Sequence, residues 1–147
     1  MTPEQIFSFC GAVAMVGWAG LIFLPRWPIT RDWIAPVVSP LIIAAFYIWL
    51  MATNTPPPEG GGFGSLAAVA KLFSVEQLLL AGWIHYLAFD LFVGAWEVRD
   101  AQRQGIHHLL VVPCLLATFM VGPGGLALYW LIRLGHQVFV KPSPATA

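Results

Sequence analysis

The run from Val75 to Val98 is long enough to cross a bilayer as one helix, yet it carries Glu76, His85, Asp90 and Glu97. An ionisable side chain at the centre of a membrane costs roughly 2.5–3.5 kcal/mol on insertion scales. A small chain that accepts this cost has a use for the groups. Carboxyl and imidazole side chains in one apolar span are the equipment of proton transfer, the acid donating and the neutral imidazole accepting.

At 100° per residue Glu76, Trp83, Asp90 and Glu97 fall on one narrow stripe, with Gly94 on it and Tyr86 at its edge. His85 points to nearly the opposite side, among Phe89, Phe92 and Trp96. A helix that is polar on two sides is expected at the centre of its bundle. Asp90 and His85 fall near mid-membrane, whereas Glu76 and Glu97 lie within a turn of the interfaces. Plainer roles compete for each group. Glu76 in a first turn complements the helix dipole, Glu97 can pair with Arg99 or Arg103, and His85 can donate to a carbonyl. Asp90 has the weakest alternative, because a buried carboxyl must be paired, protonated or wet. His107 and His108 open the next helix, either as a solvated turn or reaching back to Glu97. A metal site from His85, Asp90 and His108 matches no compact ligand spacing, so no metal is expected. The aromatic side chains Trp83, Tyr86, Phe89, Phe92 and Trp96 either pack the bundle or wall a flat slot for a conjugated or isoprenoid ligand.

The elements that must position these groups are helices. Of 147 residues, 59% are hydrophobic and 10% charged, against roughly 25% charged in a soluble domain. Four long apolar stretches predict an all-α integral membrane bundle forming a single domain over residues 1–147. The net charge is zero and there is no basic patch, so nucleic acid is not an expected partner. Cys10 and Cys114 sit in apolar stretches and read as buried free thiols.

Helix one is expected from about Pro3 to Leu24, capped by Thr2 with Gln5 completing a capping box. Its Cys10, Ala14 and Gly17 form a small-residue stripe for close packing. Helix two is expected from Trp33 to Thr53, bent near Pro36 and Pro40. A Pro- and Gly-rich loop comes next, then a short interfacial helix around Leu66 to Phe73. Helix three is expected from Ser74, as its cap, to about Val98, with Arg99 to Gly105 as a polar connection. The stretch from Ile106 to Val140 would be about 50 Å long if straight. It reads as a fourth span kinked at Pro113 and Gly122-Pro123; a turn at Gly122-Pro123, giving five spans, is the alternative. With four spans the positive-inside rule puts both termini outside the cytoplasm. The first apolar run is too long for a signal peptide and lacks a basic flank, which favours a bacterial inner membrane.

The run Leu72 to Phe92 resembles the abscisic-acid-deficient membrane proteins linked to neoxanthin synthesis in plants. That family shows Phe-Ser-x-Glu, here Phe73, Ser74 and Glu76, then Trp83-Ile84-His85, then Asp90-Leu91-Phe92. His108, Cys114 and Gly122-Pro123 extend the likeness over roughly the second half of the chain. The resemblance implies a small four-helix membrane protein with a role in converting an epoxy-carotenoid, violaxanthin, to allenic neoxanthin.

Two functions are expected from these readings. The first is an isomerase acting on a carotenoid or other isoprenoid lipid. Asp90 or Glu76 is then the acid and His85 the base or hydrogen-bond partner. Trp83 and Tyr86 hold the polyene, with Phe89, Glu97 and His108 completing the binding set. Such an isomerisation needs no external redox cofactor, so none is expected. The second is a non-enzymatic subunit that binds a carotenoid or lipid, or accompanies a pigment complex. Its polar groups then only fix helix register. Beyond the lipid ligand and the surrounding membrane lipids, a homo-oligomer or association with other membrane proteins is open to either.

Overall fold

The computed structural model describes residues 1–54 and 56–139. Helix α1 spans Pro3–Phe23. The Thr2 hydroxyl accepts from the Gln5 N–H and the Gln5 side chain accepts from the Thr2 N–H, closing the expected capping box. Helix α2 spans Ile29–Thr53, beginning four residues ahead of Trp33. Its first ten residues, Ile29–Val38, are a π-helix, closed by the Ser39 N–H bonding the Ile34 carbonyl five residues back. Pro36 has no N–H, and its ring would meet the carbonyl four residues earlier in an α-helix. The wider π turn is the form that the expected irregularity takes.

Helix α3, Leu66–Leu72, is short and capped by Ser65, whose hydroxyl accepts from the Ala68 N–H. Helix α4, Glu76–Gln104, has 29 residues. Two expectations fail at its ends. Ser74 does not cap it; the hydroxyl donates to the Lys71 carbonyl, and Val75 holds the cap position. The helix also does not stop near Val98. Arg99 to Gln104 are good helix formers and continue it until Gly105 adopts a left-handed conformation at φ 74°. Helix α5 spans His108–Val121, running unbroken through Pro113, and α6 spans Pro123–Phe139.

Among the described residues there is no strand, and α1, α2 and α4 are the three helices long and apolar enough to cross a membrane. The expectation of four spans, or five, is therefore corrected. The stretch expected to form a kinked fourth span is two shorter helices with a reversal between them. Gly122, at φ 51° and ψ −104°, is in a conformation open to glycine. Its N–H bonds the Thr118 carbonyl, and Pro123, with no N–H to leave unpaired, opens α6. Beyond the turn α6 returns along α5 and α4. Gly122 lies beside Tyr86 and Asp90 of α4, Tyr129 beside Trp96 and Asp100, and Arg133 on Asp100. The pair is a helical hairpin that enters from the Gln104 end and stops at the level of Asp90, midway along α4.

Helix α4 packs against α1, α2, α5 and α6, as its two polar sides predict. The α1 stripe is buried, and Gly17 lies against Leu91 of α4. Because the chain turns back at Gly122, Arg133 joins Arg26, Arg31, Arg99 and Arg103 at one end of the bundle. Met1 and Lys71 lie at the other end, with Glu76; Lys141 falls outside the described residues. The two described ends, Met1 and Phe139, are thus at opposite ends of the bundle, not on one side as a four-span count requires.

The hairpin depends on close backbone approach. A Cβ on Gly125 would overlap the Thr118 backbone nitrogen, whereas one on Gly135 meets nothing within 4 Å. Gly125→Ala is expected to lower stability in detergent by about 1–3 kcal/mol. Gly135→Ala is expected to be neutral or to stabilise by up to about 1 kcal/mol. Thermal unfolding of the two variants side by side checks this.

Candidate functional site

The hairpin tip sets the site. A Cβ built on Gly122 would lie 3.3 Å from both Asp90 Oδ1 and the Tyr86 hydroxyl, so the glycine lets the tip seat closely on both. Tyr86 and Asp90 are one turn apart on α4, and both flank the tip glycine. The carboxyl oxygen Asp90 Oδ2 is buried and, like Oε2 of Glu97, has no hydrogen-bond partner among the described residues. The first turn of α6 starts beside this contact, so the positive end of its dipole is next to the carboxyl. Asp90 and Tyr86 thus meet the hairpin tip together at mid-bundle.

Below the tip nothing from α5 or α6 covers α4. The face from Glu76 to Asp90 stays open: Leu79 is 55% and Trp83 45% exposed. Trp83 stacks between Phe7 of α1, at 5.9 Å, and Tyr86, at 6.0 Å. A cavity of about 300 Å³ lies at the outer end of this face, lined by Pro3, Glu4, Phe7, Glu76, Leu79 and Trp83. From Glu76 to Asp90 the face is about 21 Å long at the α-helical rise. Its outer part is the aromatic-walled cavity with Glu4 and Glu76 at the mouth, and Asp90 lies beyond that cavity, under the tip.

Above the tip the polar groups of α4 meet partners on the hairpin. Glu97 is fully buried, and Thr118 Oγ1 donates to its Oε1 at 3.0 Å. Asp100 Oδ2 accepts from the Tyr129 hydroxyl at 2.6 Å and from Arg133 Nε at 2.7 Å. Trp96 packs edge-on against Tyr129, and the Arg133 guanidinium lies over the Trp130 ring. These contacts fix α5 and α6 on α4.

The residues expected to act together are only partly brought together. Asp90, Tyr86 and Trp83 share the open face, with Glu76 at its outer end. His85 is on the other side, exposed, its ring stacked on Phe89 at 4.5 Å and against Tyr47 of α2 at 5.5 Å. Glu97 does not pair with Arg99 or Arg103. His108 does not reach Glu97; its Nε2 is 2.9 Å from the Ile22 carbonyl of α1. His85, Asp90 and His108 lie in three different environments, and among the described residues no three His, Cys, Asp or Glu side chains converge as a metal site requires. Thr118, Gly125, Asp100 and Tyr129 are partners that sequence reasoning does not single out. The signal present is the run Gly122-Pro123-Gly124-Gly125, since four breakers inside an apolar stretch suit a reversal better than a kink.

Three membrane-length helices, with a half-depth hairpin laid against the central one, define a small polytopic helical membrane protein with four of its seven acidic side chains on one helix. The chain belongs to the family described as ABA DEFICIENT 4-like, whose model matches residues 5–129 and so takes in the first half of the chain as well. A curated relative, Protein ABA DEFICIENT 4, chloroplastic, of Arabidopsis thaliana, is 28% identical over 117 residues, covering 72% of this chain and 53% of that protein. The chain thus spans about half the length of this relative. No solved structure matches it.

The Asp100 cluster is expected to hold α6 in place. Its ion pair is well shielded, the side chains of Arg133 and Asp100 being 18% and 13% exposed. Asp100→Asn and Arg133→Met should each cost about 1–2 kcal/mol. The double variant should cost less than the sum, since both remove one interaction. Unfolding of the four proteins in one detergent tests this; strictly additive losses would show that the pair does not couple.

Proposed function

We propose that the protein is a membrane isomerase acting on a carotenoid or related isoprenoid lipid, and that Tyr86 and Asp90 carry the chemistry. The observation behind this is the open face of α4 leading to Asp90, whose Oδ2 is buried beneath the hairpin tip without a partner among the described residues. Membership of the ABA DEFICIENT 4-like family supports the ligand class, through the resemblance to proteins of neoxanthin synthesis.

An end group carrying an epoxide enters from the bilayer and lies between Trp83 and the tip. The Tyr86 hydroxyl gives its proton to the epoxide oxygen as the C–O bond nearest the polyene breaks. The proton on the next chain carbon leaves to Asp90 as the cumulated double bond forms. Asp90 then returns a proton to Tyr86 along their mutual contact. Atoms and electrons balance, and the product is an allenic alcohol isomeric with the substrate. His85 takes no part, in contrast to the role expected from sequence, because it faces α2. Trp83 and Phe7 offer flat walls to the conjugated chain, and Glu76 with Glu4 offers acceptors to a hydroxyl at the groove mouth.

The test is expression in cells that accumulate an epoxy-carotenoid, then pigment analysis. The wild type should yield an allenic isomer. Asp90→Asn and Tyr86→Phe should lower conversion by about 100-fold or more, the usual worth of acid–base catalysis. His85→Ala should convert like the wild type. Unconverted carotenoid that co-purifies with the wild type would instead support the binding subunit, and full activity in Asp90→Asn would remove the assignment of the acid–base pair.

A further inference from the structure

We propose that the seam between α2 and α4, at the arginine-rich end, binds an anionic phospholipid. Its phosphate sits among Arg31, Arg99 and Arg103, and an acyl chain lies along the same seam toward Phe89. The inference is independent of the Tyr86–Asp90 reading, which concerns another face of α4.

The polar half of the seam is a cavity of about 300 Å³ lined by Arg31, Asp32, Arg99, Gln102 and Arg103. Arg31 is held rigidly. Its Nε and Nη2 donate to Asp32, and its Nη1 donates to Gln102 Oε1 at 2.8 Å. Gln102 in turn donates to the Pro25 carbonyl at 2.6 Å. Asp32 therefore matches the charge of Arg31. Arg99 and Arg103, one turn apart on α4, form no salt bridge among the described residues. Three guanidinium groups thus face one carboxylate, and the surplus suits a phosphate, to which guanidinium donates in paired hydrogen bonds. Trp27 and Trp33, which flank Arg31 and Asp32 in the chain, are exposed, and interfacial tryptophans mark headgroup level.

The apolar half is a second cavity of about 330 Å³, lined by Pro36, Val37, Pro40, Ala88, Phe89 and Phe92 among others. Both cavities share one helix pair and one side of it. On α4, Arg103, Arg99, Phe92 and Ala88 are spaced four, seven and four apart and so share a face. On α2 the Arg31–Asp32 pair precedes Pro36 by one π turn, and Pro40 comes one α turn later. From Arg99 to Ala88 is about 16 Å along the axis, enough to seat most of an acyl chain below a headgroup. Lipid tails are as apolar as the groove, so the groove contributes fit and the charges must supply selectivity. A zwitterionic lipid brings its own cation toward Arg99 and Arg103, whereas an anionic one does not. An inorganic phosphate would satisfy the arginines without using the groove.

The experiment uses the purified full chain, delipidated in neutral detergent. Dioleoyl phosphatidylglycerol, dioleoyl phosphatidylcholine and sodium phosphate are compared by native mass spectrometry and thermal unfolding. Phosphatidylglycerol should be retained about tenfold or more over phosphatidylcholine, from two unpaired arginines at the membrane surface. The double variant Arg99→Gln/Arg103→Gln should bring the two lipids level, and phosphate alone should leave the unfolding temperature unchanged. Equal retention of both lipids by the wild type overturns the proposal without any variant. So does a preference that survives the double substitution. Stabilisation by inorganic phosphate equal to that by phosphatidylglycerol overturns the lipid as occupant and leaves a headgroup-sized anion site.

Discussion

A chain that reverses direction inside an apolar bundle must pair its backbone groups, and the turn at Gly122 does so through the Gly122 N–H on the Thr118 carbonyl and the Gly125 N–H on the Gly122 carbonyl. Water is absent at this depth, so irregular backbone survives only where protein surrounds it. Gly122 itself is buried between exposed neighbours: its N–H closes α5, the next residue has no N–H, and Gly125 presses against Thr118 on the facing helix. The length of the hairpin then decides how much of the central helix is covered. The helix pair shields α4 above Asp90 and leaves it bare below, so one face of one helix is divided into a packed half and an open half.

That division sorts the acidic side chains by role. Glu97 and Asp100 lie in the packed half and find hydroxyl or guanidinium partners on α5 and α6. Such pairs are a means of fixing helix register. Glu76 lies at the outer end of the open half. Asp90 is at the boundary, touched by the hairpin tip, and among the described residues no partner on α5 or α6 bonds its carboxyl. The same logic extends to the arginines, where Arg31 and Arg133 are committed to carboxylates and Arg99 and Arg103 are not.

The helical class, the central position of α4, the capping box at Thr2 and the burial of the Cys10–Ala14–Gly17 stripe are all legible in the sequence, because they derive from hydropathy and helical period alone. The polar stripe from Glu76 to Glu97 is legible too. Its partners are not. Whether Gly122-Pro123 kinks a helix or reverses it depends on what packs against the turn, here Tyr86 and Asp90, and a single sequence carries no contact between distant segments. The same gap hides the Asp100–Tyr129–Arg133 cluster, since Asp100 reads as part of a solvated connection unless α4 runs on to Gln104. Helical rotation already separates His85 from Asp90 in the sequence, but it does not tell that the His85 ring meets Tyr47 of α2.

The half-depth hairpin also bears on how the chain enters a membrane. A fourth full crossing would have to carry the polar side chains of Arg133 and His136 through hydrocarbon, a cost that insertion machinery resists. A helix pair that dips in and withdraws leaves those groups on the side from which it started. Only α1, α2 and α4 then need to be threaded, and the hairpin can settle onto α4 afterwards, once the surface that receives it exists.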